Sequence, residues 1–382
     1  MTAHGERTDA YRLFFPLGVA TGIAGVSIWP AYYFGLTETY SGRAHAFVQI
    51  QGFLYAFVAG FLLTAIPRFT GTDGPRRSVQ FVLAAAAVLS SAAFELGLEP
   101  IGHAGFLVVQ LIVIGLVATR FARRRNPPPE TFPLIGIGLI TGLCGELINA
   151  GIAWQVLPPS LDLLGKRSLT EGMVLLLVLG VGGFLGPRLM GFAQMPDFQS
   201  LSTVARNRRP VYAGAGIVIV FGLAAEYGWG AAWGAPLRAA VASALIAETI
   251  RPWRLPATRT TLSWCVWTSF LLLVSGLWIS ALWPPYRVDF LHIVFVGGFS
   301  LLILAVGARV TLSHGGHSLA AEQRSWPLRT AAASIVVAMF ARIGAPFAPA
   351  SYFEHLALAA LLWIAGASIG GFYLLRLLRA RH

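Results

Sequence analysis

Twelve apolar runs, most of them close to 20 residues long, follow one another along this 382-residue chain, and only short polar connections separate them. They lie at about 14–34, 44–66, 79–98, 104–121, 133–155, 170–192, 210–228, 235–250, 262–283, 289–308, 329–347 and 355–378. A run of this length is enough for an α-helix to cross the ~30 Å hydrocarbon core of a bilayer. The pattern therefore predicts an all-α, polytopic membrane protein with about twelve transmembrane helices, forming a single integral membrane domain over 1–382.

Composition supports this class: 56% of residues are hydrophobic and 12% charged, and the mean hydropathy is +0.69. A net charge of +12 would suggest nucleic acid as the partner of a soluble protein, but here topology explains it. Arg68, Arg76 and Arg77, then Arg120 and Arg123–Arg125, then Arg188, Arg206, Arg208 and Arg209 follow the second, fourth and sixth runs. Arg251, Arg254 and Arg259 follow the eighth, and Arg309, Arg324 and Arg329 the tenth. With Arg7 and Arg12 before the first run and Arg376, Arg379 and Arg381 after the last, 22 of the 28 Lys and Arg fall on one side. The other side holds Arg43, Lys166, Arg167, Arg238, Arg287 and Arg342. Cytoplasmic loops carry the excess of basic residues, so both termini are expected in the cytoplasm of a bacterial inner-membrane, multi-pass protein. Trp29, Tyr32, Tyr33, Tyr227, Trp229, Trp233, Trp278, Trp283 and Tyr286 fall near the opposite ends, as an interfacial aromatic belt would. Cys144 and Cys265 both lie inside runs, which excludes a disulfide framework and a cysteine-based metal cluster. The polar stretch Met1–Arg12 before a full-length apolar run is not the pattern of a cleavable signal peptide.

Three runs end alike, in Ile66-Pro67-Arg68-Phe69, Gly186-Pro187-Arg188-Leu189 and Ala308-Arg309-Val310-Thr311, with the arginines 120 and 121 residues apart. Repeats of four spans, about 12–125, 130–255 and 256–382, would account for this, although an Arg at a helix end is also an ordinary snorkelling anchor. In this alignment Glu171 precedes Arg188 by 17 residues, as His292 precedes Arg309. The sixth span would then carry a carboxylate where the tenth has a histidine.

Ionisable side chains within a bilayer are costly, and so are functional candidates. His45, His103, His292 and His355 all open spans on one predicted side, while His4 and His382 lie in polar tails. Imidazole is a common axial ligand of haem iron and a good copper ligand, and two on neighbouring helices would clamp a porphyrin. Taken singly, each also reads as an interfacial histidine bonded to a carbonyl or headgroup. His314 and His317 form a His-x-x-His pair around two glycines that would chelate a metal or line a polar cavity. Glu146, mid-span, shares a helix face with Asn149 at i+3 and would relay protons or join a propionate network. Glu95, Glu171 and Glu248 sit nearer span ends, and no nucleotide-loop, GxSxG or HExxH motif is present.

At these residues the chain resembles the NnrS family of bacterial membrane proteins, associated with haem, copper and nitric oxide. That family reads Trp-His-Ala-His-Glu-Met, then Gly-Phe-Leu-Leu-Thr-Ala and Pro-x-x-Thr-Gly. Here stand Ala44-His45-Ala46-Phe47-Val48, Gly60-Phe61-Leu62-Leu63-Thr64-Ala65 and Pro67-Arg68-Phe69-Thr70-Gly71. Leu291-His292, Arg309-Val310-Thr311-Leu312-Ser313-His314 and Trp363 also match. The family's second His is Phe47 here and the following Glu is Val48; if that His binds the metal in relatives, this member has lost a ligand or uses His355 or His103 instead. The resemblance implies haem b, with copper as a further metal, and nitric oxide or an iron-nitrosyl species as ligand. His45, His292, Arg309 and His314 carry over from it position by position; with His355 and His317 added from the histidine pattern, cofactor binding is expected at His45, His292, His355 and Arg309, and metal binding at His45, His292, His314 and His317.

Two other functions compete with a haem-binding protein of nitric oxide response, denitrification or nitrosative-stress protection. A haem-copper oxidase or nitric oxide reductase needs about six histidines in paired motifs, and this sequence has no HH or HxH. A secondary transporter of a small solute suits twelve spans, but among the span residues only Glu146 and Asn149 are expected near the midplane, where substrate sites form.

Overall fold

The chain, seen in a computed structural model, is described at residues 9–193, 208–318, 322–323 and 325–379; His4, His382, Arg7, Arg206, Arg324 and Arg381 lie outside these. Twelve long helices and no strand occur among the described residues. They are α1 Tyr11–Tyr33, α2 Gly42–Thr70, α3 Arg77–Glu95, α4 Glu99–Ala122, α5 Pro133–Ala153 and α6 Pro159–Leu189. α7 Arg209–Trp229, α8 Ala231–Thr249, α9 Thr261–Leu282, α10 Pro284–His314, α11 Trp326–Phe347 and α12 Pro349–Arg379 complete the set. Each apolar run of the sequence falls on one of them. Eleven are long and apolar enough to cross a membrane. α8 has the length but is less apolar, because Pro236, Arg238 and Glu248 interrupt its alanines. The protein is thus a multi-pass membrane protein built of helices.

α2, α6 and α10 are the most enclosed spans: 83, 72 and 67% of their most apolar stretch is buried, against 28–50% in the other eight. They are built alike. Each has a six-residue α-helical start (Gly42–Phe47, Asp162–Arg167, Arg287–His292), then a seven-residue π-helix (Val48–Leu54, Ser168–Val174, Ile293–Phe299). A further α-helix follows in each, Tyr55–Thr70, Leu175–Leu189 and Ser300–His314. The fifth π position is glycine in all three: Gly52, Gly172 and Gly297. A Cβ on Gly52 would stand 2.7 Å from Ser91 Oγ, and one on Gly297 2.5 Å from Met339 Sδ, so neighbouring helices pack directly on these turns.

The same register runs to the helix ends. Gly71, Gly191 and Gly316 take positive φ (68, 80 and 73°) and reverse the chain as helix-capping glycines do. The next residue closes an equivalent hydrogen bond each time: Thr72 N–H to the Pro67 carbonyl, Phe192 to Pro187 and His317 to Leu312 (2.8, 2.7 and 3.0 Å). The π-helices begin at Val48, Ser168 and Ile293, 120 and then 125 residues apart. Spacing by arginine therefore holds between α2 and α6 but slips by one turn in α10, where Ser313 occupies the place of Arg68 and Arg188. In this register His292 corresponds to Phe47 and Arg167, not to Glu171.

The described residues divide into two compact units. Residues 9–25, 43–177 and 208–212 form the first, and residues 26–42, 178–193 and 213–379 the second. In the first, α3 and α4 pack as a hairpin, and α5 lies against α4 and the first half of α6. In the second, α9 packs on α8 and α10, and α11 pairs along its length with α12.

Candidate functional site

The first unit encloses a polar cluster in its apolar interior. Glu146 of α5 receives the Gln51 amide of α2 at 2.8 Å on one carboxyl oxygen, and its other oxygen lies 2.7 Å from His103 Nδ1 of α4. Gln51, His103, Glu146 and Asn149 are all buried. The π-turn that holds Gln51 ends at Leu54, and widening of a helix at this point is a recurrent feature of functional sites. Phe47 and Phe94 stack on each other at 5.0 Å, and both stand nearly perpendicular to the His103 ring, with centroids 4.7 and 4.9 Å from it. Phe47, which stands where the related family has its second histidine, is therefore a packing wall of this cluster.

Six polar atoms around the cluster have no hydrogen-bond partner among the described residues. They are Gln51 Oε1, Tyr55 Oη, His103 Nε2, Gln110 Oε1 and both amide atoms of Asn149. A buried polar atom left dry costs about 1–3 kcal/mol, so such a concentration indicates bound water or a ligand. Asn149 packs on Gly165, where a Cβ would lie 2.4 Å from its Oδ1. That turn leads to a charged cluster formed by Arg43 with Glu99 (2.7 Å) and with Asp162, which also meets Lys166 (2.7 Å).

The second unit holds a buried ion triad. Glu226 of α7 accepts hydrogen bonds from both Arg238 of α8 and Arg287 of α10, and Arg238 also donates to the Gly222 carbonyl at 2.8 Å. All three side chains are at most 6% exposed. The charge pattern of the sequence treats Arg238 and Arg287 as loop cations, and their burial corrects that reading. Gly222 and Gly234 let α7 and α8 touch: a Cβ on Gly234 would stand 2.1 Å from the Gly222 oxygen. Arg342 pairs with Asp289 nearby in sequence to the triad's Arg287, at 2.8 Å.

The histidines proposed as ligands share one detail. His45 Nδ1–H donates to the Gly25 carbonyl (2.7 Å), His292 to Val288 (2.7 Å) and His355 to Ser351 (2.9 Å). A carbonyl can only accept, so each contact puts a proton on Nδ1; in the neutral ring the lone pair is then on Nε2, the form in which imidazole binds a metal. All three are half-buried. The residues present thus fit axial ligation one by one. His45 belongs to the first unit and His292 and His355 to the second. His317 has the opposite arrangement, its Nε2–H donating to the Leu377 carbonyl (2.8 Å), while His314 ends α10. Arg309 is paired with Glu322. Among the described residues no three His, Cys, Asp or Glu side chains converge to hold a metal ion.

Sequence reasoning found Glu146, Asn149 and His103 but did not join them, and it missed Gln51, Tyr55, Gln110 and the triad. Gln51 and Gln110 are uncharged, so a search for ionisable residues passes over them. Compared with known proteins, the chain matches the family described as NnrS protein over residues 7–381, and it belongs to that family. No curated protein matches it.

Proposed function

From its place in the NnrS family, we propose that this multi-pass protein binds haem and acts in nitric oxide response, in denitrification or in protection from nitrosative stress. The observation that carries the reading is the shared orientation of His45, His292 and His355. Each ring is fixed by a backbone carbonyl, which also increases the basicity of Nε2 as a ligand. His45 and His292 are the ligands carried by family motifs, with His355 as a third. When bound, a ferrous haem with one open position would take up nitric oxide or an iron-nitrosyl species; with two histidines it would carry electrons. The chain's own contribution is to orient the imidazoles. Copper, at His314 and His317 or beside the haem ligands, is the secondary metal. We assign the protein to the bacterial cytoplasmic membrane with both termini inside, on the distribution of Lys and Arg.

The deciding experiment is an optical spectrum of the detergent-purified protein with iron and copper analysis, before and after dithionite and nitric oxide. A stoichiometric Soret band that shifts with nitric oxide, and is lost or displaced in His45→Ala and in His292→Ala, is the expected result. A folded protein without haem or copper would overturn the reading. One observation would then favour a transporter of a small polar solute, namely the enclosed cluster around Glu146 in the middle of α5.

A further inference from the structure

The cluster around Glu146 has no part in the reading above, and its geometry concerns protons rather than iron. The 2.7 Å contact between Glu146 and His103 Nδ1 contains a hydrogen, whichever atom carries it. The surroundings supply no compensating charge. Gln51, Tyr55, Gln110 and Asn149 are neutral, and the charges nearest in the fold, Arg43 and Lys166 with Glu99 and Asp162, cancel among themselves. Helices α2, α4 and α5 and the first turns of α6 present no other ionised group to the pair in the contacts that define the cluster. A net charge held in so apolar an interior is strongly disfavoured. Neutrality requires two protons over three places, the carboxyl, Nδ1 and Nε2. One lies between Glu146 and Nδ1, and the other is on Nε2, where it has no acceptor among the described residues. The orphaned atoms extend from that nitrogen in two directions. His103 and Gln110 lie on one face of α4, seven residues or about 10 Å apart. Asn149, one turn from Glu146 on α5, reaches the Asp162–Arg167 turn and its charged cluster.

We infer that Glu146 and His103 form a buried, exchangeable proton-holding site, connected by ordered water along Asn149 to the charged cluster of Arg43, Glu99, Asp162 and Lys166. The carboxyl holds the shared proton and gives it to imidazole Nδ1 as a hydrogen bond, while Nε2–H donates to water. A proton taken from Glu146 by a step in the membrane interior is replaced through the water chain from solvent at the partly exposed cluster, so the pair returns to its starting state. Such a site would serve any step in the membrane interior that consumes protons. It does not rest on haem binding, and its test does not use haem.

The test is infrared spectroscopy of the full-length protein in detergent, transferred from H2O to D2O. The expected spectrum contains the carbonyl stretch of a protonated carboxylic acid that shifts promptly in D2O. This band should be lost in Glu146→Gln, which keeps an acceptor for Gln51, and retained in Glu171→Gln. In Asn149→Leu the band should remain and its shift should slow at least tenfold. If Glu146→Gln does not fold, the wild-type band and the Asn149→Leu exchange rate still decide. Absence of the band, its persistence in Glu146→Gln, or exchange as fast in Asn149→Leu as in the parent would overturn the inference.

Discussion

Replacing Glu226 by Gln is the most informative test of the second unit, because the structure fixes both the sign and the size of the effect. Glu226 receives Arg238 and Arg287 at once, and none of the three side chains is more than 6% exposed. The amide is nearly isosteric but uncharged, so the two guanidinium groups would lose the carboxylate they share. Removing one partner of a buried ion pair costs about 3–5 kcal/mol, mostly from the stranded charge. A domain of about 150–250 residues loses about 2–4 °C of midpoint per kcal/mol, and a longer chain less, so a fall on the order of 5 °C is expected. The assay is thermal unfolding in detergent, followed by tryptophan fluorescence and by the monodisperse fraction on size exclusion at a fixed heating rate. The triple variant Glu226→Leu, Arg238→Met, Arg287→Met separates charge from packing. Methionine keeps the stem that Arg238 lays against Gly222, where a Cβ would meet its Cγ at 2.7 Å. With no charge left to strand, the triple variant should be more stable than the single one. A single variant as stable as the parent, or a triple variant less stable than the single, would refute this account of the triad.

Other consequences can be checked more briefly. Gly234→Ala should abolish monodisperse expression, because its Cβ would lie 2.1 Å from the Gly222 oxygen, whereas Gly115→Ala, with nothing within 4 Å, should express as the parent does. Arg43→Gln opens a partly exposed cluster and should cost only about 1 kcal/mol, less at high salt, as measured by the same thermal assay. In a background lacking Cys144 and Cys265, a cysteine at Leu36 should react with a membrane-impermeant maleimide on intact cells, and one at Arg124 only after lysis. The reverse labelling would invert the proposed topology.

The helices were legible because the bilayer imposes one length and one composition on every span, and all twelve could be placed from apolar runs alone. Their internal geometry was not. A π-turn changes the angle between successive side chains, but Ile293–Phe299 is apolar on every side and Val48–Leu54 holds only Gln49 and Gln51, too few polar positions to record the change, so both read as ordinary helix. The starts of α6 and α10 were missed for the converse reason. Asp162–Arg167 and Arg287–His292 carry charges that look like loop, yet Asp162 is held by Arg43 and Arg287 by Glu226, and these pairings allow the helix to continue. The triad itself joins residues 12 and 61 positions apart on three helices, which no local pattern reveals. Of the candidate site, the individual histidines and Glu146 could be read because ionisable residues are rare in spans. Their partners could not, because a hydrogen bond between α2, α4 and α5 depends on packing.

The shared register of α2, α6 and α10 separates what these helices require from what each has acquired. All three keep the π-turn, the glycine at its fifth position and the left-handed glycine that ends the helix, so these features serve packing and chain reversal wherever the design is used. Chemistry varies around that frame. The residue before the fifth-position glycine is Gln51 in α2, bonded to Glu146; in α6 it is Glu171, 3.8 Å from Arg167; in α10 it is Val296. One position before the π-turn stand Phe47, Arg167 and His292. α10 thus has no polar group where the others point theirs inward, and has instead a histidine whose Nδ1 is already bound by Val288. Its two counterparts fill this position with a packed ring and a paired cation, so among the three helices the histidine is a feature of α10 alone. The divergence at this position is what singles out His292, and a loss of ligand binding in His292→Ala with normal folding is the result that this comparison requires.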